Sequence, residues 1–376
     1  MDILIIGSGF AGIEASFLLS ELPGLDADIT VVSLDNEMVF TPSLIWLPPK
    51  RKLLGDISFD LKPIFNRKGI NFYIGEVVSV EPQDNKVVLA SGLELGYDYL
   101  IVSAGWKPKR SHVRGHKNVL FPCALRDVLE LTRIIDEMDG GTITFAIEGE
   151  RPGPGAEYLG WIHVYLSEKG IRDRFDLHLA EEKHRLLIHL GREACDLLTE
   201  DFRRCGVTLH LGRKLAEARP GIAVLEDGLE IPSDVICSVG KVEAPDFLQK
   251  LKFSTAEGFM PVNEDLSCKS YDNIFVAGDA ADFGRVNVPK VAHVALEQGQ
   301  VAARNVYAAI TGSKKQKYDA EHAFANFYIL SDFGVTAVLA KNYKIIDYGE
   351  HLSSLKEAIE RYYIYTHKAG IPWKLI

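Results

Sequence analysis

The chain has little of the material from which several common protein classes are built. Its five cysteines stand at 123, 195, 205, 237 and 268 of 376 residues, and no two form a CxxC pair. That spacing offers no zinc site, and the odd count argues against a disulfide framework. The set reads as buried free thiols in a reducing cytosol. No apolar run approaches the length of a membrane span. Basic charge is also short: 42 Lys and Arg against 52 Asp and Glu give a net charge of −10. Nucleic acid is therefore not an expected partner, because phosphates call for a basic surface. A secretory leader does not fit the start, where Asp2 replaces a basic n-region and an apolar strand begins at Ile3. What remains, 47% hydrophobic and 25% charged, is ordinary for a cytoplasmic globular protein of two or three domains.

Glycine is present where it carries most meaning. Ile3 to Ile6 is an apolar run, followed by Gly7, Ser8, Gly9, Phe10, Ala11 and Gly12, and then by helical Ile13 to Leu19. This is a dinucleotide fingerprint in its proper context of strand, tight turn and helix. Gly7 permits the turn, Gly9 lets a pyrophosphate approach the backbone, and Gly12 lets helix and strand pack closely. The helix N-terminus offers unpaired N–H groups and partial positive charge to the phosphates. Strands and helices alternate from here on, which predicts an α/β class with parallel sheets.

A second strand over 28–33 ends in Ser33, Leu34 and Asp35, about 20 residues past the glycines, where a ribose contact is expected. The apolar stretch 38–49 has neither helical nor strand period. It reads as a core-lining loop in which Thr41 and Pro42 lie along a flat ring, with Pro42 stiffening the backbone. A helix is predicted over 59–68 and a strand near 69–74. A small antiparallel meander follows, entered through Val77 and Val78. Next comes a buried strand ending in the small residues Ser103, Ala104 and Gly105.

Taken with Val276-Ala277-Gly278-Asp279-Ala280, these motifs resemble, in order and spacing, the two-dinucleotide-domain flavoproteins related to disulfide reductases. Phe40-Thr41-Pro42-Ser43, the basic run 50–52 and the pair Pro289-Lys290 narrow the resemblance to sulfide:quinone oxidoreductases of archaeal type, with type II NADH dehydrogenases as close relatives. The resemblance implies two Rossmann-like domains, each a three-layer ββα unit, and a C-terminal α+β segment. It divides the chain into an FAD-binding domain over 1–110 and 243–312, a second Rossmann-like domain over 111–242, and a C-terminal segment over 313–376. It implies FAD at the first turn, Asp279 on the ribityl or phosphate side, Gly278 permitting close approach, and a helix starting at Pro289-Lys290 whose positive end and Lys290 face the flavin.

The second turn, Glu148 to Glu157, has the wrong glycine spacing for a pyrophosphate. Pro152 and Pro154 lack N–H groups, and Glu148 and Glu150 would repel an anion. Against this, Glu181 and Glu182 end a strand where a nicotinamide ribose would bind. The resemblance also implies a redox cysteine in this turn, where Arg151 or Pro152 stands, and a partner in the C-terminal third, where no cysteine follows Cys268. Cys123 matches a third cysteine of some archaeal relatives, or is a plain buried thiol. Glu157 is either a proton relay to a quinone or an acid favoring a helix N-terminus. His293 and Glu297 replace two family glutamines and share a helix face at i and i+4, as a proton-carrying pair or as a stabilising one.

The final segment has a polar linker at 314–317, an aromatic stretch with Phe324, Phe327, Tyr328 and Phe333, two strands, and a helix striped by Leu352, Leu355, Ile359, Tyr362 and Tyr363. With exposed-looking Ile371 and Trp373, it suits a membrane interface on the cytoplasmic face, packing on the FAD domain, or contact with a second subunit. Three functions follow: an FAD enzyme feeding a quinone, with sulfide as donor in question; a type II NADH:quinone dehydrogenase; or a flavin-bearing sensor without turnover.

Overall fold

The computed structural model describes residues 1–149, 153–188, 191–321, 326–330, 335–340, 343–347 and 351–374, with side chains excepted from 326 to 353. Phe324, Phe333, Glu150, Arg151 and Pro152, and the side chains of Phe327, Tyr328 and Leu352, lie outside it.

The first strand, Asp2–Ile6, is central in a six-stranded sheet, flanked in parallel by Asp28–Ser33 and Tyr99–Val102. Its near-continuous apolar run reflects burial on both faces. Ile3 and Ile5 join a core with Phe17 and Ala302, while Leu4 and Ile6 join another with Val80 and Val87. Helix α1 (Phe10–Glu21) and the antiparallel meander Val77–Glu81, Lys86–Leu89 and Glu94–Gly96 thus cover opposite faces. Asn71–Ile74 closes one edge of the sheet, and Tyr271–Val276 with Ser267–Cys268 the other.

The helix read over 59–68 is shorter in the structure. Phe59 lies in a strand, Ser58–Asp60, paired with Glu37–Val39, and α2 covers only Lys62–Arg67. Pro63 explains the boundary: it suits a first helical turn, where a missing N–H costs nothing. The 38–49 stretch is also more ordered than a loop. Thr41–Trp46 winds into a 3₁₀ turn with Pro42 at its start, and Ser43 to Trp46 are buried.

The layout then repeats. Four parallel strands run in the order Val207–Leu211, Phe175–Glu181, Gly141–Ile147 and Val235–Val239. Helices α3 (Leu125–Glu137), α4 (Gly153–Glu168) and α5 (Arg192–Arg204) lie on one side. A second meander of Leu215–Arg219, Ile222–Leu225 and Glu230–Pro232 covers the other. The two halves touch through a short pair, Lys107–Pro108 with Val242–Glu243. After α6 (Asp246–Gln249) the chain returns to the first sheet.

Helix α7 (Ala292–Thr311) then packs on α1, so closely that a Cβ on Gly299 would stand 2.2 Å from the Ala11 carbonyl oxygen. It starts two residues later than Pro289-Lys290. Val291 is extended and caps it, and Pro289 stays outside. The 314–317 stretch is tied down: Gln316 exchanges two backbone hydrogen bonds with the Asn305 amide group. Three antiparallel strands, Asn326–Leu330, Val335–Ala340 and Tyr343–Asp347, precede α8 (His351–Lys368). Among the described residues, no helix is long and apolar enough to cross a membrane.

Candidate functional site

The first glycine turn sits at the C-terminal edge of the central strand. Gly7 has φ +95°, and a Cβ there would meet the Ser103 carbonyl oxygen at 2.4 Å. On Gly12 a Cβ would stand 1.9 Å from the Gly7 oxygen. Both positions therefore require glycine, one for conformation and one for close packing. Gly9 caps α1 with no side-chain hydrogen bond at that end and is exposed. The first-turn amides of α1 are thus left for an anion.

Three of the expected residues, Ser33, Ser103 and Gly278, meet the turn from separate elements. Ser8 Oγ donates to Ser33 Oγ at 2.6 Å, joining turn to second strand. Leu34 is 66% exposed at that strand's end, beside exposed Asp35. Thr41 is exposed while Val77 and Ser103 are buried, with Pro42, Val78, Ala104 and Gly105 half-buried. Ser103 Oγ donates to the Ile6 carbonyl at 2.8 Å and supports the turn from behind. Gly278, at φ +71°, donates its N–H to the buried Gln298 side chain at 2.8 Å. Asp279 follows in the same short turn.

Lys290 does not project as a loose charge. Its Nζ donates to the Asp279 carbonyl at 2.5 Å and lies 3.8 Å from the Phe259 ring center. His293 and Glu297 share a face of α7, but no ion pair joins them. Burial lowers His293 to about 4, so the ring is neutral, with Nε2 buried and unpartnered. A neutral ring has no charge with which to stabilise Glu297, whose carboxyl burial pushes up.

Glu157 is not in the first turn of its helix, which begins at Gly153, so the dipole explanation fails. It is 7% exposed and paired at 2.9 Å with Lys356 of α8. Burial raises its carboxyl pKa, and Lys356 opposes that shift. Trp46 lies under this lysine at 5.4 Å and under Lys52 at 5.7 Å. Cys123 is half-buried beside Phe121, Trp106 and Ser238 at a small cavity between the halves. None of the five cysteines is in a disulfide, and Cys205 is also half-buried, so not every cysteine is interior.

The second turn can be laid over the first by strand register. Ile6 pairs with Val32, and Ile147 with Glu181, so Glu148 holds the place of Gly7. Glu148 has no positive φ, and the Gly7 bend is not repeated. Its carboxylate does not face the turn to repel an anion, as the sequence alone suggests. It is 1% exposed and points inward, accepting from Leu215 N at 2.8 Å. His112 Nε2 stands 3.1 Å and Lys241 Nζ 3.6 Å from its other oxygen. Gly149, in the place of Ser8, donates its N–H to Glu182 at 3.0 Å. Glu181 is buried, and burial raises its carboxyl to about 7.

Two contacts escaped sequence reading. Gln298 keys α7 to Gly278, and Glu14 of α1 is buried against His367 of α8. The one available signal was a glutamate, Glu14, in the mostly apolar first half of its helix.

The fold is that of known flavoenzyme structures. The sulfide:quinone oxidoreductase of Aquifex aeolicus superposes with a TM-score of 0.85 at 22% identity, covering 98% of this chain and 92% of that one. In sequence, the sulfide-quinone reductase of that organism is 23% identical over 98% of this chain and 91% of its own length. A type II NADH:quinone oxidoreductase of Staphylococcus saprophyticus is 21% identical over 84% of each. The family profile matches residues 1–140 and 165–299, which is most of the chain and includes both ends of the first turn's site. On this match, the chain belongs to the pyridine nucleotide-disulphide oxidoreductase family, whose quinone-linked branches bind FAD.

Proposed function

We propose that this chain is an FAD-dependent oxidoreductase that reduces a quinone with electrons from a donor other than a pyridine nucleotide. The contrast between the two turns carries the reading. At one register position Gly7 opens a cradle with unused helix amides; at the equivalent position Glu148 packs inward and Glu182 occupies the Gly149 amide. One dinucleotide site is favored and the other disfavored.

FAD would be held by Gly7, Gly9 and Gly12 at its pyrophosphate, by Ser33 or Asp35 at the ribose, and by Asp279 at the ribityl chain. The solvent-facing Leu34 suits an adenine ring. The cofactor supplies a two-electron carrier between donor and acceptor. The protein's own contribution is proton handling and shape. Glu157 is buried enough to hold a proton, and Lys356 keeps its charged form accessible. His293 is neutral and offers a buried nitrogen as acceptor or donor. The division into an FAD domain over 1–110 and 243–312, a second domain over 111–242 and a C-terminal segment over 313–376 belongs to the same reading.

A type II NADH:quinone dehydrogenase is the second reading. Glu182 favors it, because an acid there suits a nicotinamide ribose. Sulfide remains in question as the donor, because the expected cysteine positions hold other residues. Contact with a membrane surface is supported by the outward-facing Leu355, Tyr365 and Ile371 of the C-terminal segment. Loss of liposome binding in Tyr365→Glu tests that contact.

The donor is decided by anaerobic mixing. Purified protein is mixed with sulfide or with NADH while flavin absorbance is followed, and a soluble quinone is then added. Bleaching by sulfide, reversed by quinone, supports the first reading and identifies its donor. Rapid bleaching by NADH establishes the second in its place. Failure of both donors points to a sensor without turnover.

A further inference from the structure

Helix α1 is buried almost all round, and in its middle stands a wholly buried carboxylate, Glu14. A charge in such a place persists only when paired and hydrogen-bonded. Its partners come from the far end of the chain. Glu14 Oε1 accepts from His367 Nε2 and from the Trp373 N–H, each at 2.7 Å. Oε2 accepts from Gln300 Nε2 of α7 at 2.8 Å, and the same amide donates to the Trp373 carbonyl at 2.7 Å. His367 Nδ1 faces the Tyr363 carbonyl at 2.8 Å. The Thr366 hydroxyl lies 3.2 Å from the same nitrogen, so both edges of the ring are engaged.

This knot fixes more than itself. The Tyr363 ring stacks on His367 at 3.7 Å between centers. It also meets Phe10 at 5.3 Å, Phe40 at 5.0 Å and Trp373 at 6.0 Å. Phe10 belongs to the glycine turn itself, and Phe40 precedes the 3₁₀ turn at Thr41. The end of the chain is therefore clamped to the helix that presents its N-terminus at the first turn, one helical turn below that end.

We propose that the stretch 363–374 is a strap over the dinucleotide turn, keyed by Glu14 and His367, and that strap and FAD hold each other in place. The proposal rests on the reading that the first turn holds FAD. Glu14 and His367 are positioning residues: they act through Phe10, Tyr363 and the pitch of α1. Coupling between two binding events is reciprocal, so what the strap adds to FAD retention, FAD must add to strap docking.

The test uses the full-length holoprotein. FAD release is followed by the rise in flavin fluorescence, and amide hydrogen exchange over 363–374 is measured with and without FAD. His367→Phe keeps the ring stack and removes both hydrogen bonds; Glu14→Gln keeps the volume and removes the charge. The expected result is FAD release at least tenfold faster in both variants. Exchange over 363–374 should be slower in wild-type holoprotein than in apoprotein. Release at the wild-type rate with a loosened strap would overturn the proposal, as would equal strap exchange in apo- and holoprotein. If one variant fails to fold, the other variant and the wild-type exchange comparison still decide. A wild-type protein that does not take up FAD would instead sink the cofactor reading, before any variant is made.

Discussion

Lys356 and Glu157 meet at 2.9 Å, joining a half-buried lysine of α8 to a buried carboxylate in the second turn of α4. Removing one partner of such a pair leaves the other as an uncompensated buried charge. Lys356→Met is expected to cost up to about 3 kcal/mol, less whatever Glu157 recovers by taking a proton. Urea denaturation measures it. Glu157→Gln should slow quinone reduction by roughly a hundredfold while leaving flavin reduction by the donor unchanged. Equal losses in both half-reactions would remove Glu157 from proton transfer.

Gly12→Ala should abolish FAD binding. Its Cβ would stand 1.9 Å from the Gly7 oxygen, so turn and helix would have to part. The purified variant is expected to be colorless and to regain no flavin absorbance on titration with FAD. Gly9→Ala meets nothing within 4 Å and should fold normally, which separates loss of the cradle from general misfolding.

Neighboring lysines should differ sharply. Lys50 pairs with Asp136 at 2.6 Å, but both are nearly half exposed, and Lys50→Ala should cost under about 1 kcal/mol. Lys52 pairs at 3.0 Å with Glu360, whose side chain is 2% exposed. Lys52→Ala should cost about 3 kcal/mol or more, because it strands a buried carboxylate. Parallel denaturation curves give the comparison, and equal costs would mean that Glu360 is neutral in the folded protein.

Glu181 predicts a pH dependence. Burial raises its folded carboxyl to about 7, from 4.5 in the unfolded chain. Between those values the folded state binds the extra proton, so stability falls as pH rises through this window. The loss amounts to about 3 kcal/mol by pH 8. Glu181→Gln should remove it, leaving the variant more stable than wild type at pH 8 and little changed at pH 4. Thermal melts across pH check the sign.

Much of the fold was legible because it is written in local periodicity. The apolar runs of the parallel strands, the strand–glycine–helix order at Gly7 to Gly12 and the small residues at Ser103 to Gly105 each follow from backbone sterics within a few residues. The misread boundaries were those where one proline decides between neighboring states: Pro63 delays a helix, Pro42 starts a 3₁₀ turn and Pro289 stays outside one.

What the sequence by itself determined is a first turn that no residue but glycine can make, together with the α/β order around it. Only the tertiary structure decided where the buried charges point. Glu148 turns inward instead of toward a phosphate, Glu157 finds Lys356, His293 stays neutral, and Glu14 finds His367 across 353 positions of chain. Backbone conformation is set by neighbors along the chain. A buried charge is set by whichever partner folding brings within hydrogen-bond reach, and spacing in sequence carries no record of that meeting.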